Sequence, residues 1–141
     1  KESEKIHEKI EIKINQKRPS ISDKVLVKVY GHRGNMYLSQ GQFEKAINLE
    51  NEALLFAKED RDIAWVYVNQ ANIYERSDEI VKAIALHKKA LEKRKTIFPD
   101  MHPVIARQYN QLISLELKKD DIQNLQDYID KVNFSDTPLP L

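Results

Sequence analysis

Small, aromatic and aliphatic residues recur along this chain at helical intervals. Tyr30, Gly34 and Tyr37 fall at steps of four and three, and Phe43, Ala46, Leu49 and Ala53 follow at steps of three and four. Both runs trace one face of a helix. The pattern then repeats. With Tyr74 set against Tyr37, an offset of 37 residues, Gly34 meets Ala71, Gly41 meets Asp78, Phe43 meets Ile80, Ala46 meets Ala83, and Ala53-Leu54 meets Ala90-Leu91. A weaker third copy lies 42 residues further on, where Leu112 and Ile113 open the pattern. Asp120 then falls opposite Asp78, and Ile122, Leu125 and Val132 take the remaining apolar slots. Tyr30, Tyr67 and Tyr109 agree in all three copies.

Each copy predicts two helices. Gly41 is expected to end the first helix of its pair, because glycine accepts the left-handed backbone found at many helix C-termini. Asp78 and Asp120 are expected to serve the same turn, since Asp tolerates that conformation better than most residues. The alanines of the second helices let two helix axes approach closely. These copies predict an array over residues 22–134, with units 22–59, 61–98 and 103–133. Before it, Ile6, Ile10 and Ile14 form a narrow stripe beside Lys1, Lys5, Lys9, Lys13 and Lys17. That stripe predicts a helix over 1–18, the second helix of an incomplete upstream unit, with the isoleucines packed on the first complete one. Pro19 breaks it, and Ser20 to Asp23 has the spacing of a capping box. Pro103 suits a first helical turn. Residues 135–141 are expected to be a flexible tail, because Pro138 and Pro140 prevent a helix.

Composition narrows the class. The chain has 141 residues, 41% apolar and 32% charged, enough for one domain with its own core and too apolar for a disordered polymer. Lys+Arg 23 against Asp+Glu 22 leaves a net charge of +1, so no global field draws it to nucleic acid. There are no cysteines, which excludes disulfides and thiolate metal sites and leaves the compartment open. No apolar run reaches the ~20 residues of a membrane span, so no membrane insertion is expected. Opening on Lys1, the sequence reads as a fragment or processed piece.

All three glycines lie in Gly31 to Gly41, "GHRGNMYLSQG". A phosphate-cradling loop would need a GK[ST] ending after a strand, and neither is present. Gly34 is better explained by close helix contact. The order of these residues resembles the tetratricopeptide repeat, matched at Tyr30, Gly34, Tyr37, Gly41, Phe43, Ala46 and Ala53, then at Tyr67, Ala71, Tyr74, Ala83 and Ala90. The third copy departs from it, with Glu116 for the Tyr and Leu125 for the first Ala. The linker "ALEKRKTIFPDMHPVIARQYNQL" is similar to that of kinesin light chains, and "AKEDRDIAWVYVNQANIYE" to Asn-rich repeats of signalling adaptors. The resemblance implies an all-α, right-handed α-solenoid of antiparallel helix pairs, about three repeats plus an N-terminal helix. It further implies a non-catalytic protein-protein interaction module that acts as an adaptor or sensor segment.

Such a solenoid lines its concave face with the first helix of each unit. At about 100° per residue, the residues opposite the packing stripe include Lys28, Gly31, His32 and Asn35, then Trp65, Val68, Asn69, Asn72 and Arg76. The third unit adds Arg107, Asn110, Gln111, Ser114 and Leu117. A carboxamide offers both a donor and an acceptor, which suits a peptide backbone. The expected partner is therefore a protein or peptide, bound as an extended segment or a helix. Asn35, Asn69 and Asn72 would hold its main chain, Trp65, Arg76 and Arg107 would select side chains or charge, and Lys28 and Asn110 would belong to the same partner-binding face. The family's clamp for a chain-terminal carboxylate is matched at Asn35, Asn69 and Arg107, but Gly31 and Gln111 stand where it needs cations. The other reading is a structural segment that self-associates through its end helices.

Catalytic chemistry finds no constellation. His7, His32, His87 and His102 lack metal-ligand spacing, so no metal and no cofactor is expected. His87 and His102 read as surface or capping residues. Asp120-Asp121 suits a helix start. The run "HKKALEKRK" reads as a solvated outer face with Ala90 and Leu91 inward, and no aromatic residues interleave its cations as nucleic-acid binding would want.

Overall fold

The computed structural model describes residues 2–17, 21–119 and 122–133. Among the described residues seven helices follow one another: α1 (Glu2–Lys17), α2 (Asp23–Ser39), α3 (Phe43–Phe56), α4 (Asp60–Arg76), α5 (Ile80–Lys95), α6 (Pro103–Lys119) and α7 (Ile122–Asn133). No strand occurs among the described residues. The chain divides into two compact units, Lys1–Ala57 and Lys58–Leu141. Residues 18–20, 120–121 and 134–141 lie outside the described part, and with them Pro19, Ser20, Asp120, Asp121 and the tail.

In the first unit α2 and α3 form an antiparallel pair joined by a tight turn. Leu26, Val27, Tyr30 and Tyr37 of α2 are buried, and Ala46 and Ala53 of α3 are fully enclosed. Gly34 makes the closest approach. A methyl group placed on it would lie 2.6 Å from Glu50 Oε1 and 3.2 Å from Glu50 Cδ, and Glu50 is itself 0% exposed. A side chain there would displace the Glu50 carboxylate, which lies where a Cβ would go.

Helix α1 packs through a different face from the expected one. Ile14 is buried, but Ile6 is 49% exposed, as is Ile12. His7 turns inward in their place, stacked on the Tyr37 ring at 4.2 Å. Arg33 of α2 donates from Nε to His7 Nδ1 at 3.2 Å and forms an ion pair with Glu11. A polar residue one position along rotates the stripe, because Arg33 is buried and needs acceptors. Ser22 caps α2, its hydroxyl accepting from the Val25 amide at 3.4 Å.

The second unit contains four helices, α4 to α7. α4 pairs with α5, α5 with α6, and α6 with α7. Its core gathers Ala83, Ile84 and Leu91 of α5, Ile105, Tyr109, Leu112 and Leu115 of α6, and Tyr128 and Val132 of α7. The Thr96 hydroxyl donates to Asp60 at 2.7 Å, fastening the end of α5 to the start of α4. His102 caps α6 as expected, Nδ1 accepting from the Val104 amide at 3.1 Å. His87 does not lie on the surface: it is 0% exposed, as is Glu116 at the Tyr position of the third repeat.

The turns after α2 and α4 are the same device, 37 residues apart. Gly41 has φ +72° and Asp78 φ +63°. The next amide reaches back across the helix end in both, Gln42 to the Tyr37 carbonyl at 3.0 Å and Glu79 to the Tyr74 carbonyl at 2.8 Å. A side chain at Gly41 would meet nothing within 4 Å, so only backbone strain opposes one. Gly41→Ala is expected to cost about 1 kcal/mol, and Asp78→Gly to gain a few tenths of that, because L-residues resist the left-handed region. Urea unfolding of the two variants checks this, and shifts of the same sign would contradict it.

Candidate partner-binding cleft

In the second unit a cleft of about 210 Å³ is lined by Val68 of α4, Arg94 of α5, and Val104, Arg107, Gln108 and Gln111 of α6. Two of these side chains carry guanidinium groups, and no carboxylate is among the lining residues. Arg107 is exposed and Arg94 half-buried. Further along α6 and α4, Lys118 and Glu75 form an ion pair at 2.8 Å.

Arg94 is held from behind by a buried chain. Its guanidinium donates to Gln108 Oε1, which fixes the orientation of that carboxamide because a guanidinium can only donate. The Gln108 amide nitrogen therefore donates to His87 Nδ1, 2.9 Å away, and the His87 proton sits on Nε2. Gln108 is 2% exposed and His87 0%. Burial pushes the His87 pKa down to about 4, with Glu75 opposing the shift and Arg94 adding to it. The Arg94 pKa is also lowered, first by burial and then by the nearby charge of Arg107. Two like charges thus act on each other in the lining of the cleft.

The expected site residues divide sharply. Arg107 lines the cleft, together with Val68 and Gln111 of the same face. Asn72 and Trp65 on α4 are half-buried, while Arg76, and Asn110 on α6, are exposed. None of these four lines the cavity. Asn69 is only 5% exposed, so its carboxamide belongs to the packed interior. In the first unit Lys28 and Asn35 are exposed on α2.

Arg94 and Gln108 escaped the sequence reading. Arg94 was hidden in a basic run read as a solvated face, yet it continues the inward stripe His87, Ala90, Leu91 at the next helical step. Gln108 lies between the buried Ile105 and Leu112 on α6, and its position in that stripe was the available signal.

Comparison with known proteins agrees with this architecture. The family model for the tetratricopeptide repeat matches residues 25–96, just over half of the chain. The chain belongs to that family. Among solved structures, BtubC (BKLC) from P. vanneervenii superposes with a TM-score of 0.68 at 16% identity, over 82% of this chain and 50% of that one. The chain therefore spans about half the length of that structure, and the likeness speaks for the fold alone: an all-α helical-repeat solenoid. No curated protein matches the sequence. Proteins of this family generally mediate protein-protein contacts and are generally non-catalytic. Among the described residues no three potential ligands come together to hold a metal, and no helix is long and apolar enough to cross a membrane.

His87 makes stability depend on pH. Its folded pKa of about 4 lies below the ordinary 6.5, so the unfolded chain takes up the proton first. The stability is complete above about pH 6.5 and is lost as pH falls toward 4, amounting to ~3 kcal/mol. The lowered His7 pKa acts in the same direction. Urea unfolding at pH 7.5 and 4.5 is expected to show a clearly smaller loss in His87→Gln than in the native chain. Equal losses would mean that His87 titrates normally.

Proposed function

We propose that the α4–α6 face binds an extended segment of a protein partner, with an acidic side chain of that segment between Arg94 and Arg107. Asn72, Asn110 and Gln111 would bond its main chain, each carboxamide serving as donor and acceptor. Trp65 and Arg76, on α4, would then contact side chains to either side. The observation that carries this reading is the cleft with two guanidinium groups and no carboxylate in its lining. Guanidinium–carboxylate pairs are directional and often bidentate, so the pair supplies both affinity and register. Asn35 and Lys28 would perform the same tasks on the α2 face of the first unit.

A second reading concerns α1. A shallow apolar cavity of about 340 Å³ lies along it, lined by Ile6, Ile10 and Ile12 with Lys9, Lys13 and Gln16. That exposed stripe favours α1 as the second helix of a further repeat, and hence this chain as one stretch of a longer array.

A peptide array probed with native chain tests the first reading. The expected result is selection of peptides with a required Asp or Glu. Arg107→Gln should weaken the selected peptides about tenfold or more, because a charge-assisted bidentate pair is lost. Selection of neutral peptides, with equal binding by the variant, would overturn it.

A further inference from the structure

The second unit holds a larger cavity, about 380 Å³, that shares no lining residue with the cleft. Its size falls within the ~300–1,000 Å³ usual for small-ligand sites. Tyr109 of α6 and Tyr128 of α7 line it, together with three lysines, Lys88 and Lys95 of α5 and Lys131 of α7. The tyrosines are 4% and 7% exposed, and their ring centroids stand 6.2 Å apart.

The three ammonium groups converge on these rings. Lys95 Nζ lies 5.5 Å and Lys131 Nζ 5.8 Å from the centroid of Tyr109, while Lys88 Nζ lies 5.9 Å from that of Tyr128. The Lys95 pKa stands above its ordinary value, first because of a hydrogen bond with the Tyr109 hydroxyl. An ammonium carries three N–H donors, and a ring face with one hydroxyl leaves some of them free. None of the three forms an ion pair with a described carboxylate. Glu92 and Asp127 also line the cavity, each one helical turn from a lysine, within reach of an intrahelical pair. Both are exposed. Three cations thus share a small volume with two carboxylates that do not engage them.

We propose that this pocket binds a phosphate monoester, a compact dianion whose oxygens accept from the three lysines. Lysine suits that role because it acts on phosphate as a point charge, whereas a planar carboxylate is better matched by the forked guanidinium. The exposed carboxylates Glu92 and Asp127 oppose a long polyanion, whose neighbouring charges would run across them. The same chemistry arises from a phosphorylated side chain or from a small phosphorylated molecule. Either source would use a surface separate from the peptide cleft, so the pocket stands whether or not the cleft reading does. It also gives the basic run Lys88 to Lys95 a purpose beyond solvation.

The test follows the ring signals of Tyr109 and Tyr128 by NMR during titration at constant ionic strength. The probes are glycerol phosphate, a short phosphoserine peptide, the same peptide unphosphorylated, acetate, and a single-stranded oligonucleotide. Saturable shifts with one or both phosphate monoesters are expected at roughly millimolar concentration, and whichever binds more tightly identifies the source. Lys88→Gln, Lys95→Gln and Lys131→Gln together should weaken binding about tenfold or more, whereas Glu92→Gln with Asp127→Asn should tighten it several-fold. Binding should also weaken from pH 7.5 to 5, as the second phosphate proton, of pKa ~6, returns. All five substitutions lie at exposed positions, and far-UV circular dichroism checks that the fold is kept. Absence of saturable shifts, equal binding of acetate, tighter binding of the oligonucleotide, or an unaffected triple variant would each overturn the proposal.

Discussion

The close approach of paired helices at small side chains is the constraint on which this protein depends. Ala46, Ala53, Ala71, Ala83 and Ala90 are each 0% exposed, and Gly34 admits not even a methyl group without displacing Glu50. Packed interiors have little room to absorb extra volume, so these positions set how near the helices lie. In α5 they also set which way the helix faces. With Ala83 and Ala90 inward, His87 and Arg94 must follow on the same stripe, and Lys88 and Lys95 must fall beside it. One packing stripe therefore presents Arg94 to the cleft and two lysines to the other cavity.

That arrangement explains an otherwise costly set of buried polar groups. His87, Gln108 and Arg94 occupy volume that a simpler repeat would give to aliphatic side chains, and burying a polar group costs less when it is partnered. Here each partner fixes the next. Arg94 sets the orientation of Gln108, and Gln108 sets the tautomer of His87. The outcome is a guanidinium held near Arg107 despite their mutual repulsion, an arrangement that an anion would relieve. In the first unit Arg33 is instead satisfied by Glu11 and His7, so a buried arginine there binds a helix of the same chain.

What the sequence made legible follows from which signals are local. The offset of 37 was visible because Gly41 and Asp78 serve a backbone need, and because tyrosines and alanines mark the packing stripes. The family resemblance rested on the same residues. Polar side chains within those stripes were not legible. His87 reads as a surface or capping residue by type, and only its spacing from Ala90 argues otherwise. The facing of α1 was equally hidden: Ile6, Ile10 and Ile14 look like an inward stripe, but Arg33, 26 residues beyond His7, draws the helix round. Asn69 shows the reverse, an amide at an expected ligand position that is only 5% exposed. Side-chain chemistry predicts local conformation well, but its neighbours across the core decide where it points.

Paired substitutions within α5 test the packing constraint most directly. Ala83 is 0% exposed, whereas Ala85, two residues away, is exposed, and leucine serves both positions equally well as a helix former. Equilibrium unfolding in urea should show Ala83→Leu destabilised by about 2 kcal/mol or more, the usual cost of forcing extra volume into a packed contact. Ala85→Leu should remain within ~0.5 kcal/mol of the native chain. Equal stability of the two variants would contradict the account, because the small side chains of α5 would then not set how closely that helix packs.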